Sequence, residues 1–109
     1  HHRPGDILPD AIAVLDPKRE DCSYPYDELC GCGVGFKLIQ ALAENRNQTI
    51  EDLVEYLDLV ATAIAADIVP INGENRVLAK FGLEVIKPTG WFETKPSPSE
   101  FKSKVRELD

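Results

Sequence analysis

Apolar residues recur at spacings of three and four in three segments of the chain, which predicts three amphipathic helices. The first begins at Gly33 and ends near Asn45. The second begins after Thr49, a predicted N-cap, and is apolar on all sides past Leu59, which predicts burial. The third covers 74–86. The apolar stripes consist of Val34, Leu38, Ile39, Leu42 and Ala43 in the first helix, of Ile50, Leu53, Val54, Leu57, Val60, Ala61 and Ile64 in the second, and of Val77, Leu78, Phe81 and Val85 in the third.

A continuous apolar run at 11–15 has a different pattern. It reads Ala-Ile-Ala-Val-Leu and is closed by Asp16-Pro17, which predicts a buried strand of a parallel sheet. A single strand cannot form a sheet. Its partners must therefore come from another copy of the chain, which predicts a homo-oligomer, or from a larger α/β domain of which this chain is a piece.

The last part of the sequence is richer in proline. Residues 87–109 contain Pro88, Pro96 and Pro98, and we interpret them as a linker or a divergent C-terminal arm. Ser97-Pro98 resembles a helix start, so a short helix is predicted over 99–108.

Composition and charge exclude some classes of protein. The 109 residues suit one domain, and no apolar run is long enough to span a membrane. A net charge of −7 argues against a free-standing nonspecific nucleic-acid binder, although a site that holds cations could still meet phosphate. Cys22, Cys30 and Cys32 are odd in number, and we interpret them as reduced thiols of a cytoplasmic protein.

Asp67 is the sharpest candidate for chemistry, because it is the only ionisable residue between Leu59 and Ile71. A buried carboxylate requires a cation or a set of hydrogen bonds. One hypothesis is therefore a metal ligand. The other is an exposed turn residue at the end of a buried helix, or a carboxylate that caps local backbone amides.

Three further features each allow a functional and a structural interpretation. His1-His2 fits either the remnant of a purification tag or an imidazole metal ligand. The glycine-rich stretch 31–37 around Gly33 enters a helix and could present amides to a phosphate, but it lacks the spacing of a Walker A loop, and tight packing also explains it. Arg76 could bind phosphate or form a surface ion pair.

Three blocks, in order over residues 1–83, give a more specific signal. The first is His1-His2-Arg3-Pro4-Gly5-Asp6 with Leu8-Pro9-Asp10-Ala11. The second is the stretch 24–38, from Tyr-Pro-Tyr to the glycine-rich turn. The third is the stretch 57–70 around Asp67, followed by Gly73-Glu74-Asn75-Arg76. Together they resemble the RecJ-type exonucleases of the DHH phosphoesterase superfamily.

The resemblance implies an α/β fold. It makes residues 1–86 a partial DHH catalytic domain, the C-terminal part of a DHH-type parallel-sheet domain that is mainly helical in this chain with one or two strands. It also implies an exonuclease specific for single-stranded DNA, acting from the 5′ end in repair and recombination with Mn²⁺ or Mg²⁺. By position, His1 and Asp67 would be metal ligands and His2 would lie near the scissile phosphate. Gly33 and Arg76 are candidates for contacting substrate phosphate.

The departures from the family pattern shape the remaining expectations. The family's other metal-binding aspartates lie upstream of the His-His pair and are not in this sequence, so we expect the chain to be inactive as a nuclease by itself. Two alternatives remain: a DHH-type phosphodiesterase that acts on short oligonucleotides or cyclic dinucleotides, and a non-catalytic acidic helical module that binds a partner.

Overall fold

A computed structural model describes residues 1–86, which form a helical unit. Its elements are α1 (Gly31–Asn45), a 3₁₀ helix (Ile50–Tyr56), α2 (Leu57–Ala66) and α3 (Gly73–Ile86). Residues 1–30 precede the helices as turns, bends and extended chain. The predicted arm at 87–109, with its short helix, lies outside the described residues. Within the described part, no helix is long and apolar enough to cross a membrane.

The predicted strand at 11–15 is wrong for this structure. None of residues 1–86 is in a β-strand, and Ile12 and Leu15 are exposed. The Val14 carbonyl accepts a hydrogen bond from the Arg19 guanidinium, at 2.8 Å, instead of one from a neighbouring strand. A strand needs partner backbone, and no segment of the described chain supplies it. Within residues 1–86, therefore, neither the expected parallel sheet nor the expected one or two strands are seen.

α1 follows the predicted boundaries closely and presents a different face to the core. It begins two residues before Gly33, and its end is marked by Asn47 with φ of 56°. Of the predicted stripe only Ala43 is buried. The three large residues Leu38, Ile39 and Leu42 are nearly half exposed, whereas Phe36, outside the stripe, is buried. The apolar stripe was predicted correctly as a pattern, but most of it does not face the core.

The second predicted helix divides into two elements. Thr49 is confirmed as the N-cap, and its backbone N–H donates to Asp52 Oδ2 at 3.4 Å. The chain then runs as the 3₁₀ helix before it continues as α2. Val60 and Ile64 are buried in α2, but Leu59 is exposed, so the predicted burial on all sides is wrong for one face.

The core lies where α2 packs on α3. Gly82 permits this close approach, because a Cβ there would overlap the Leu57 carbonyl oxygen and would lie 2.5 Å from the Ala61 Cβ. The glycine that weakens the third helix by propensity therefore serves its packing. The buried cluster consists of Leu29, Cys30, Phe36, Ala43, Leu53, Val54, Leu57, Val60, Ile64, Leu78 and Phe81.

Candidate functional site

Asp67 lies directly after the last residue of α2. Its backbone is extended, and its N–H donates to the Ala63 carbonyl oxygen at 2.9 Å. Its side chain is 37% exposed, and the next residue, Ile68, is almost fully exposed. Asp67 is thus a partly exposed residue at the end of a buried helix, the second of the two positions that its sequence context allows, because the helix ends at Ala66 and the chain turns to the surface.

The structure brings His1 and Asp67 into contact. His1 Nδ1 lies 3.0 Å from Asp67 Oδ2, and the His1 side chain is 24% exposed. The two residues are far apart in sequence, so the contact is a property of the tertiary fold. An imidazole and a carboxylate thus face each other at the surface end of α2.

His2 lies beside this pair. Its ring centroid is 4.3 Å from that of His1, with 33° between the ring planes, and the residue is exposed. A second imidazole is therefore available next to the His1–Asp67 pair and open to solvent.

The atoms of the His1–Asp67 pair suit a divalent cation in type and in separation. Imidazole nitrogen and carboxylate oxygen are both ligands of first-row divalent metals. Two ligands at right angles around an octahedral ion, with bonds of about 2.1 Å, lie about 3.0 Å apart. The 3.0 Å between Nδ1 and Oδ2 is equally the distance of a direct contact between an imidazole and a carboxylate.

The ligand number is incomplete in this part of the chain. Residues 1–86 contain no group of three or more His, Cys, Asp or Glu side chains that could hold a metal ion. Two protein ligands bind a divalent ion weakly, so the pair by itself does not make a metal site within residues 1–86.

Two residues that support the loop after Asp67 were missed by the sequence reasoning. Asn75 is completely buried, and its Nδ2 donates to the carbonyl oxygens of Glu28, at 2.7 Å, and Pro70, at 3.0 Å. The Tyr26 hydroxyl lies 3.0 Å from the carbonyl oxygen of Asn72, to which it donates. Both residues lie in the sequence blocks on which the family resemblance rests. Membership of those blocks is the only sequence signal that could have identified them as functional.

The same contacts explain the glycine at the start of α3. Gly73 has φ of 45°, and a Cβ there would lie 2.6 Å from Tyr26 Cε2, so only glycine fits. Burial raises the pKa of the Tyr26 phenol, the nearby carboxylates of Glu28 and Glu74 raise it further, and the Asn75 backbone N–H opposes the shift.

Gly33 and Arg76, the two candidates for phosphate contact, lie in the first turns of α1 and α3. Gly33 is buried in the first turn of α1, where a Cβ would lie 3.3 Å from Leu29 Cδ2, which favours the packing interpretation. Arg76 is exposed in the first turn of α3. Within the part of the chain that the structure describes, neither residue forms a hydrogen bond or ion pair with His1 or Asp67.

A polar cleft of about 420 Å³ begins at Arg3, directly after the histidines. The cations that line its far side are already neutralised: Lys18 Nζ lies 2.9 Å from Glu28 Oε1, and Arg19 pairs with Asp21 through two hydrogen bonds. This pairing raises the pKa of Arg19 and lowers that of Asp21. The cleft therefore offers little net positive charge to an anion.

Comparison with known proteins shows a match to one protein family. Residues 1–64 match the family described as "DHH family, N-terminal domain". The chain is 46% identical over 89 residues to the single-stranded-DNA-specific exonuclease RecJ of Bacillus subtilis, an alignment that covers 82% of the chain and 11% of that protein.

Proteins of the same name from two other bacteria are also similar. The protein of Salmonella typhimurium is 43% identical over 96 residues, with 80% of the chain and 17% of the relative covered. That of Thermus thermophilus is 35% identical over 91 residues, with 84% of the chain and 13% of the relative covered. The chain therefore spans less than a fifth of the length of these relatives. No solved structure matches it.

Proposed function

The chain belongs to the DHH family, and from this premise we propose that residues 1–86 form part of the catalytic domain of an exonuclease that hydrolyses single-stranded DNA. The observation that carries the proposal is the contact between His1 Nδ1 and Asp67 Oδ2 at 3.0 Å. The names of the similar proteins, which are exonucleases specific for single-stranded DNA, support the substrate class.

In this proposal His1 and Asp67 hold a divalent cation, Mn²⁺ or Mg²⁺, and His2 lies near the scissile phosphate. The cation, when bound, supplies an activated water and neutralises charge on the phosphodiester. The chain's own residues bind and orient: the imidazole and carboxylate supply two ligands, and the exposed His2 ring meets the substrate. A cation also reconciles a chain of net charge −7 with an anionic substrate.

Gly33 and Arg76 have unequal support as phosphate-contacting residues. The Arg76 guanidinium is exposed and has no ion-pair partner within residues 1–86, so it is available to an anion. Gly33 is buried, and its packing against Leu29 accounts for the glycine without a ligand. We therefore keep Arg76 in the proposal as the stronger of the two.

The 109-residue chain by itself is expected to be inactive. Two ligands leave most of a divalent ion's coordination to water, which does not fix the ion well enough for hydrolysis. Incubation of the chain with 5′-labelled single-stranded DNA and Mn²⁺ should give no digestion above the buffer blank. Metal-dependent digestion would show that the 109-residue chain holds a complete site and would contradict this expectation.

The remaining parts of the proposal follow the resemblance. The enzyme is proposed to degrade DNA from the 5′ end in repair and recombination, and to work in the cytoplasm, for which the three free cysteines are the supporting observation. Self-association of the chain through residues 11–15 is proposed on the exposed apolar side chains of Ile12 and Leu15.

A chimera tests the function directly. Residues 1–86 of this chain replace the aligned segment of the Bacillus subtilis relative, whose identity of 46% favours folding of the hybrid. The chimera should degrade 5′-labelled single-stranded DNA with Mn²⁺, and Asp67→Asn should reduce the rate by about a hundredfold or more, because one metal ligand is lost.

Asp58→Asn is the matched control, since Asp58 lies in the first turn of the same helix and its Oδ1 accepts the Leu59 N–H, which asparagine can also do. This control should retain the activity of the chimera. Equal activity of the Asp67→Asn and Asp58→Asn chimeras would refute the proposed role. Activity confined to dinucleotides or cyclic dinucleotides would instead select the phosphodiesterase alternative.

A further inference from the structure

The loop that joins α2 to α3 carries Asp67 and is tied down at both ends. On the helix side, the Asp67 N–H donates to the Ala63 carbonyl oxygen at 2.9 Å. On the far side, the Pro70 carbonyl oxygen accepts from Asn75 Nδ2 at 3.0 Å. Between them, the Val69 N–H donates to the Asp67 carbonyl oxygen at 3.1 Å. Only two residues, Ile68 and Val69, lie between Asp67 and Pro70, so little freedom is left at Asp67.

Asn75 connects this loop to a third segment. Its side chain is 0% exposed, and its amide nitrogen also donates to the Glu28 carbonyl oxygen at 2.7 Å. One amide group therefore bridges the loop after Asp67 and the chain just before α1. A primary amide supplies the two N–H donors that two nearby carbonyl oxygens require. A hydrophobic residue of similar volume would leave both carbonyl oxygens without this donor.

We propose that Asn75 is a positioning residue for the His1–Asp67 pair: it fixes the loop 67–70 so that the Asp67 carboxylate faces the His1 imidazole. Asn75 touches neither member of the pair through its side-chain hydrogen bonds and acts through Pro70. The consequence of this positioning for metal binding rests on the proposed function. The positioning itself concerns only the geometry of the chain without metal.

Nuclear magnetic resonance of the 109-residue chain without metal tests this proposal. Asn75→Ala should abolish the nuclear Overhauser effect between the His1 ring protons and the Asp67 β protons. It should also speed hydrogen exchange at the Asp67 and Val69 amides by about tenfold or more relative to the Ile64 amide inside α2, because the loop then opens independently of the helix.

Leu78→Ala is the matched control, because Leu78 lies on the same helix, is buried in the core and makes no hydrogen bond to the loop through its side chain. It should lower the free energy of unfolding of the whole unit. The ratio between the hydrogen-exchange rates of the loop amides and of the Ile64 amide in α2 should stay unchanged. Asn75→Leu, which keeps the side-chain volume, provides a second variant if the alanine variant does not fold. An Overhauser effect and an exchange ratio unchanged in either folded Asn75 variant would overturn the proposal.

These readouts require neither metal nor DNA, so they separate this inference from the proposed function. A chimera that degrades no DNA would refute the function and would leave the exchange ratios as evidence about Asn75. Conversely, an active chimera whose Asp67–His1 contact survives Asn75→Ala would support the function and refute the positioning role.

Discussion

Two regions of the molecule carry apolar side chains in opposite environments: the α2–α3 pair on the one hand, and the outer face of α1 with residues 7–15 on the other. In the pair, Leu57, Val60 and Ile64 are buried against α3, and Gly82 brings the two helices together. On α1, Leu42 is 49% exposed, and Ile12 on the preceding segment is fully exposed. The first region finds its partner within residues 1–86, whereas the second has an apolar surface without one in the described chain.

This difference shows what an apolar pattern does and does not specify. Periodicity identifies the face of a helix that favours burial, but it carries no information about the element that covers it. An apolar surface of this kind is typical of an interface. In the proposal above, this is the surface through which the chain would associate with itself.

The largest expected effect is the difference in stability loss when one leucine of each region is truncated to alanine. Leu57→Ala removes a side chain that is 0% exposed, and should lower the free energy of unfolding by about 4 kcal/mol, because it leaves a cavity in the core. Leu42→Ala should cost less than about 1 kcal/mol, since the side chain is already half in water. Urea denaturation followed by circular dichroism measures both, and equal losses would contradict the comparison.

Replacing a glycine by alanine should change the free energy of unfolding in opposite directions in the two regions. Gly82→Ala forces a Cβ against the Leu57 carbonyl and should lower the free energy of unfolding by about 3 kcal/mol. Gly35→Ala, inside α1 with open space at the Cβ position, should raise it by about 0.5–1 kcal/mol through helix propensity. Thermal melts of both variants test this, and a stable Gly82→Ala protein would mean that α2 and α3 are less tightly packed.

A smaller effect concerns alkaline pH. The pKa of the Tyr26 phenol is raised in the folded chain, mainly by burial. Its contribution to stability is therefore complete below the unfolded pKa of about 10 and is lost as pH rises through the higher folded pKa. Stability of the wild type should fall more steeply above pH 10 than that of Tyr26→Phe, which has no phenol there to ionise. Parallel curves for the two proteins would contradict the assignment.

The helices could be predicted from sequence because their signals are local. Periodicity marked α1 and α3, and Thr49 with Asp52 marked the start of the second segment. The change from 3₁₀ helix to α2 at Leu57 has no comparable local signal. The strand at 11–15 was predicted from apolarity alone, and its formation depends on partner backbone that residues 1–86 do not provide.

The candidate site was predictable in part. Family resemblance named His1 and Asp67, and the structure places their side chains in contact. The sequence left the exposure of Asp67 open between two alternatives, because it depends on where α2 ends. Asn75 and Tyr26 could not be assigned a role either, since their hydrogen bonds join segments more than forty residues apart in sequence, such as Glu28 with Asn75.

The central claim is that His1 and Asp67 form one side of a divalent-cation site. Titration of the 109-residue chain with Mn²⁺, followed by paramagnetic broadening of its nuclear magnetic resonance signals, tests it most directly. We predict that the His1 ring and Asp67 signals broaden at the lowest Mn²⁺ concentration, and that Asp67→Asn removes this preference. Broadening centred instead on other carboxylates, such as Glu51 and Asp52, with the His1 ring unaffected, would contradict the claim.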